Sequence, residues 1–109
     1  MSKPTTLMQG TLDLLILRML AAGPMHGWAI AQRIKRMSKD VLQVGQGSLY
    51  PALHKLEQQA WIEAEWGESE SKRRVKYYSL TRAGHKALER ETGQWERLSA
   101  AISLIVRPV

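Results

Sequence analysis

The chain has no cysteine and no phenylalanine, and only four prolines among its 109 residues. Without cysteine there is no disulfide, no thiolate nucleophile and no thiolate metal site. Long apolar runs are also missing. No run is longer than Leu14 to Leu17, which is far too short to cross a bilayer, and the opening MSKPTTLMQG lacks the apolar stretch of a signal peptide. A soluble, cytoplasmic chain with no membrane partner is expected. The three histidines, His26, His54 and His85, follow no metal-ligand spacing. His26 falls where a helix begins and reads as a cap or structural residue. No Gly-rich phosphate loop occurs, and no serine stands in a nucleophile elbow. These absences assign no catalytic residue, no cofactor and no metal, and an enzyme is not expected.

What the chain has is base. Lys and Arg number 16 against 10 Asp and Glu, for a formal charge of +6, and 44% of the residues are apolar. That is one domain's worth of core carrying a surface suited to an anionic partner, with nucleic acid foremost at this size. A basic surface can also serve solubility alone, so the placement of the base matters.

Apolar residues Met8, Leu12, Leu15, Ile16, Met19 and Leu20 recur at three- and four-residue steps and predict a first helix over about residues 9–22. Thr11 and Asp13 place polar groups near its start, and Gly23-Pro24 ends it. A second helix is predicted over about 27–37, with Ile30, Ile34 and Met37 as its buried stripe and Gln32, Arg33, Lys35 and Arg36 outside. Val41, Leu42 and Val44 in the following connection allow a very short strand. A third helix is predicted over about 48–59, with Pro51 in its first turn, where proline is tolerated. Leu49, Ala52, Leu53 and Leu56 point to the core. Pro51, His54, Lys55 and Gln58 lie opposite, flanked by Ser48 and Tyr50.

The period then changes to two. Ile62, Ala64 and Trp66 alternate with Glu63 and Glu65 as a half-buried strand, residues 67–71 make a polar turn, and residues 73–80 return as a second strand. The hairpin tip holds Lys72, Arg73, Arg74 and Lys76 within five positions. From Thr81, a plausible N-cap, one long helix is predicted to about residue 106. Leu88, Glu91, Trp95, Leu98, Ile102 and Ile105 form a seam on it, which predicts lengthwise packing on a second helix, most simply that of a symmetry mate.

Three helices, a basic hairpin and a long helix, in this order, are the outline of a winged helix-turn-helix: mainly α, with a small β-hairpin. Residues 1–80 would form the DNA-binding domain and 81–109 a C-terminal dimerisation helix. Ser48, Tyr50, Pro51, His54 and Lys55 would face the major groove, and Lys72, Arg73, Arg74 and Lys76 the phosphates or minor groove.

Three segments carry a resemblance. HGWAIAQRI at 26–34, GSLYPALHKLEQQAWI at 47–62 and EWGESESKRRVKYYSLTRAG at 65–84 resemble the PadR-type transcriptional regulators, and the similarity extends over nearly the whole chain. Ending on a single helix looks like the short subgroup of that family. The resemblance implies a homodimeric repressor on a palindromic operator in double-stranded DNA, released by a small molecule or other signal. It carries recognition-helix roles onto Ser48, Tyr50, Pro51, His54 and Lys55, and wing roles onto Arg73, Arg74 and Lys76. Where the family often reads SENNRR this chain has SESKRR, so Lys72 adds a positive charge at the tip. Some relatives bind flat aromatic compounds between protomers. Trp95, among Leu88, Leu98 and Ile102, is the matching candidate here, with dimer core as its alternative role; Trp28, Trp61 and Trp66 read as structural.

The rival reading is a winged-helix docking module for proteins. Lys55 and the KRRVK wing argue against it, since a docking domain would favour a neutral or acidic third-helix face.

Overall fold

A computed structural model describes residues 9–107 of the chain. Met8, expected in the first apolar stripe, lies outside the described residues. In order, the elements are α1 (Gln9–Leu20), β1 (Met25–His26), α2 (Gly27–Met37), α3 (Gln46–Gln58), β2 (Ile62–Glu68), β3 (Arg74–Leu80) and α4 (Arg82–Val106). The fold is mainly α with one small antiparallel sheet, a winged helix-turn-helix.

α1 is the central helix and is more than amphipathic. Leu12, Ile16, Leu17, Met19 and Leu20 are all buried, because α2, α3, α4 and β3 pack around it. It ends at Leu20, two residues before the expected point, and Gly23 takes the turn at φ +138°, a conformation that side chains rarely adopt. α2 runs as predicted. Ile30 and Ile34 are buried, but Met37 is 61% exposed and does not join the stripe. It falls at the last residue of the helix, where the chain turns away through Lys39 and Asp40, both at positive φ.

α3 starts at Gln46, two residues earlier than predicted, so Pro51 sits in its second turn. There its missing N–H leaves the carbonyl of Gly47, four residues back, without its usual helical donor. The expected core face, Leu49, Ala52, Leu53 and Leu56, is buried throughout. The helix closes in a Schellman turn without glycine. Ala60 stands at φ +62°, with its N–H on the Glu57 carbonyl (3.0 Å) and the Trp61 N–H on the Leu56 carbonyl (3.1 Å).

The sheet order is β1-β3-β2, with Met25 opposite Tyr78 and Ile62 opposite Leu80. No period-two pattern announces the two-residue β1. The first hairpin strand runs two residues further than expected, taking Gly67 and Glu68 into β2, and the second starts one residue later, leaving Arg73 to the turn. Of Val41, Leu42 and Val44, only Leu42 makes a β-bridge, and no longer strand forms there.

Thr81 caps α4 as predicted. Its hydroxyl accepts from the Gly84 N–H (3.0 Å) and donates to the Ala60 carbonyl (2.6 Å), while its own N–H reaches the Trp61 carbonyl (3.1 Å). These bonds tie the end of α3, the start of β2 and the start of α4 together. The first turns of α4 join the core through Ala87 and Leu88. The rest of its 25 residues, a rod about 37 Å long in all, projects from it.

Candidate nucleic-acid interface

α3 and the hairpin present the residues singled out from sequence. On α3, Ser48, Tyr50, Pro51, His54 and Gln58 are exposed. The opposite side of the helix supplies four core residues, so its orientation is fixed by packing. The Tyr50 ring lies against Gly27, whose missing side chain makes room for it: a Cβ there would stand 3.0 Å from the Tyr50 hydroxyl and ring edge. The contact anchors the start of α3 on the start of α2 and leaves the Tyr50 ring half open to solvent. Lys55 is placed differently. Its ammonium is ion-paired with Asp13 of α1, and the Asp13 side chain is mostly buried. Lys55 therefore ties α3 to α1, and Asp13 is used by this pair rather than as a helix cap. The other Asp13 oxygen, Oδ1, is buried and has no hydrogen-bond partner among the described residues, so removing Lys55 would leave a mostly buried carboxylate without its cation.

The wing tip is a tight, ordered turn. The Lys72 N–H bonds the Ser69 carbonyl (2.9 Å) and the Ser69 N–H the Arg73 carbonyl (2.8 Å), with Lys72 at φ +61°. This is the three-residue hairpin loop, a type I turn followed by a left-handed residue. The Tyr77 hydroxyl donates to the Glu68 carbonyl (2.8 Å) and its ring covers Gly67, where a Cβ would lie 2.9 Å from it. Lys72 and Arg73 are exposed, and no carboxylate among the described residues pairs with either. Arg74 and Lys76 lie over the indole of Trp66, at 4.6 and 5.8 Å from its centroid, and Lys76 also stands 3.9 Å from Glu57 of α3.

Sequence reasoning missed the placement of four residues. Trp66 is 56% exposed beneath two cations rather than structural in the core, and counting back from the hairpin turn would have set it across from Lys76. Trp28 is exposed as well, and only Trp61 packs against the core. Asp13 and Glu57 hold lysines far away in sequence, for which no local signal exists. His26 does cap α2, its Nδ1 accepting from the Ala29 N–H (3.3 Å).

On α4 the seam residues Trp95, Leu98, Ile102 and Ile105 are exposed, whereas Leu88 is taken up by the core of its own domain. Among the described residues no group of three or more His, Asp or Glu side chains is placed to hold a metal ion, and no helix is long and apolar enough to cross a membrane.

The architecture has known counterparts. The model of the transcriptional regulator PadR-like family matches residues 16–90. A transcriptional regulator from Clostridium thermocellum superposes with a TM-score of 0.83 at 28% identity, covering 91% of this chain and 96% of that one. A PadR-like transcription factor from Bacteroides fragilis superposes with a TM-score of 0.73 at 31% identity, covering 89% and 91%. An uncharacterised protein from Lysinibacillus sphaericus is 28% identical over 100 residues, 92% of either chain.

Proposed function

The chain belongs to the PadR-like family of transcriptional regulators, and from that premise we propose that it is a repressor that binds a palindromic operator as a homodimer and is released by a small-molecule effector. The observation that carries this reading is the pairing of two exposed surfaces on one rigid frame. The outer face of α3 stands beside a basic wing, and the apolar seam of α4 projects away from the core.

In this reading residues 1–80 read DNA and residues 81–109 dimerise. Ser48, Pro51 and His54 face base edges in the major groove, and Tyr50 reaches phosphate through its hydroxyl. Lys72, Arg73, Arg74 and Lys76 hold flanking phosphates. Lys55 serves mainly to hold α3 at its angle, since its charge is already matched by Asp13. Two α4 helices, packed through Trp95, Leu98, Ile102 and Ile105, set the two readers one helical turn of DNA apart, about 34–36 Å. A flat aromatic effector stacking on Trp95 between protomers would change that separation and release the operator.

The test is binding of the purified protein to the DNA upstream of its own gene and to a scrambled duplex, each at two salt concentrations. A preference for the upstream fragment that survives higher salt supports a sequence reader. Equal, salt-sensitive binding to both would overturn the operator reading and favour a docking module.

A further inference from the structure

We propose that Trp66 is a positioning residue for DNA binding: its indole face holds the Arg74 guanidinium oriented for the phosphate backbone before DNA arrives, while the Lys76 ammonium beside it is drawn towards Glu57. This rests on the wing reading above and adds to it a residue that itself carries no charge.

The register makes the arrangement possible. Trp66 lies directly across from Lys76, and Glu68 directly across from Arg74. All four side chains therefore share one face of the hairpin, with Arg74 diagonal to Trp66. The natural partner for Arg74 by charge is Glu68, yet no Arg74–Glu68 ion pair forms among the described residues. The guanidinium lies over the indole instead, 4.6 Å from its centroid. Trp66 is not among the residues packed against the core, so core packing gives no reason for a residue of this size. Together with Gly67, Glu68, Lys72 and Arg74 it lines one open depression on the wing.

The choice of partner has a physical consequence. A carboxylate would orient the arginine but cancel the charge a phosphate needs. An aromatic face orients it by its quadrupole and leaves both the charge and the outward N–H fork free for bidentate phosphate contact. Long cationic side chains otherwise lose their rotamer freedom at the moment of binding, and that loss subtracts from affinity.

The experiment measures binding of a labelled random-sequence duplex across a salt series, so that no operator need be known, alongside melting of each variant. The variants are Trp66→Leu, Trp66→Phe, Arg74→Ala and the Trp66→Leu/Arg74→Ala double variant. Trp66→Leu is expected to weaken binding about three- to fivefold per wing, the size of an exposed cation–π contact, with the salt slope unchanged. Trp66→Phe, which keeps a π face, should recover part of the loss. Arg74→Ala should lower the salt slope by about one per wing, and the double variant should be little weaker than Arg74→Ala alone. Losses that simply multiply, or a Phe variant no better than Leu, would overturn the positioning role. So would full affinity in Trp66→Leu while Arg74→Ala is impaired, and that result would leave the wing's DNA role standing. Full affinity in Arg74→Ala would instead remove the wing reading and this proposal with it. Should Trp66→Leu fail to fold, the comparison of Trp66→Phe with the native chain, with and without Arg74→Ala, decides the same point.

Discussion

Gly84 shows how much can hang on one missing methyl group. A Cβ at this position would run into the carbonyl oxygen of Trp61, which is backbone and cannot rotate away. That same carbonyl accepts the Thr81 N–H, and the Gly84 N–H is the one Thr81 caps. Gly84→Ala must therefore push α4 off the start of β2. A loss on the order of 1–3 kcal/mol is expected, read as a Tm lower by roughly 4–8 °C per kcal/mol. An unchanged Tm would mean that α4 docks less closely than described. Tyr78 makes a second residue-scale prediction. Burial pushes its hydroxyl above the ordinary value of 10.0, with smaller contributions from Glu57 and Tyr50. The folded state thus holds this proton more tightly than the unfolded chain does. The associated stability is complete below about pH 10 and is lost as pH rises through the raised value. Tyr78→Phe should flatten the alkaline fall in stability measured by denaturant unfolding. An equally steep fall in that variant would place the cause elsewhere.

At the scale of elements, the wing and α3 are expected to do different work. Lys72→Gly is a sensitive probe of the wing because the position already has φ +61°. Glycine relieves a conformation costing an L-residue about 1–2 kcal/mol, against about 0.5–1 kcal/mol of added backbone entropy, so the turn should persist. The variant should lose affinity for operator and random DNA alike, with a smaller salt slope. His54→Ala on α3 should instead alter which operator sequence is preferred. Equal losses from both variants on both DNAs would end that division of labour. The order of these elements is legible in the sequence because each is marked by local chemistry. Leu49, Ala52, Leu53 and Leu56 recur at helical steps, Ile62 and Ala64 alternate, and Thr81 is a cap residue followed by a periodic run. What is not legible is non-local or lacks its usual marker. β1 has only two residues and exists because Tyr77 and Tyr78 offer it an edge. The Schellman turns after α2 and α3 use Lys39 and Ala60 where glycine would have signalled them. In the candidate interface, exposure of Ser48, Tyr50 and His54 follows from the helical period. The diversion of Lys55 to Asp13 joins residues 42 positions apart and leaves no trace in either segment.

The whole molecule is longer than its size requires. A domain of this length has an expected radius of gyration near 13 Å. The chain shows 15.1 Å, with extents of 54 × 36 × 21 Å, because the far part of α4 joins no core cluster among the described residues. Leu104 and Ile105 are about 80% exposed, and Trp95, Leu98 and Ile102 about half. An apolar stripe continuous along a helix is a poor surface to leave in water, and a second copy of the same stripe is its simplest complement. If the homodimer forms there, Ile102→Glu places two like charges across the two-fold axis while touching no core residue of the protomer. The variant should sediment as a monomer at concentrations where the native chain is a dimer. Its monomer secondary structure should be retained, since Ala87 and Leu88 dock the first turns of α4 independently. Operator affinity should fall steeply, because a monomer engages one half-site and forfeits the effective concentration that tethering gives the second. Binding to short random DNA should fall far less. A dimer that survives Ile102→Glu would move the interface to another face, and with it the candidate effector position at Trp95. A monomer that still binds the full operator with native affinity would show that the spacing set by α4 is not what positions the two readers.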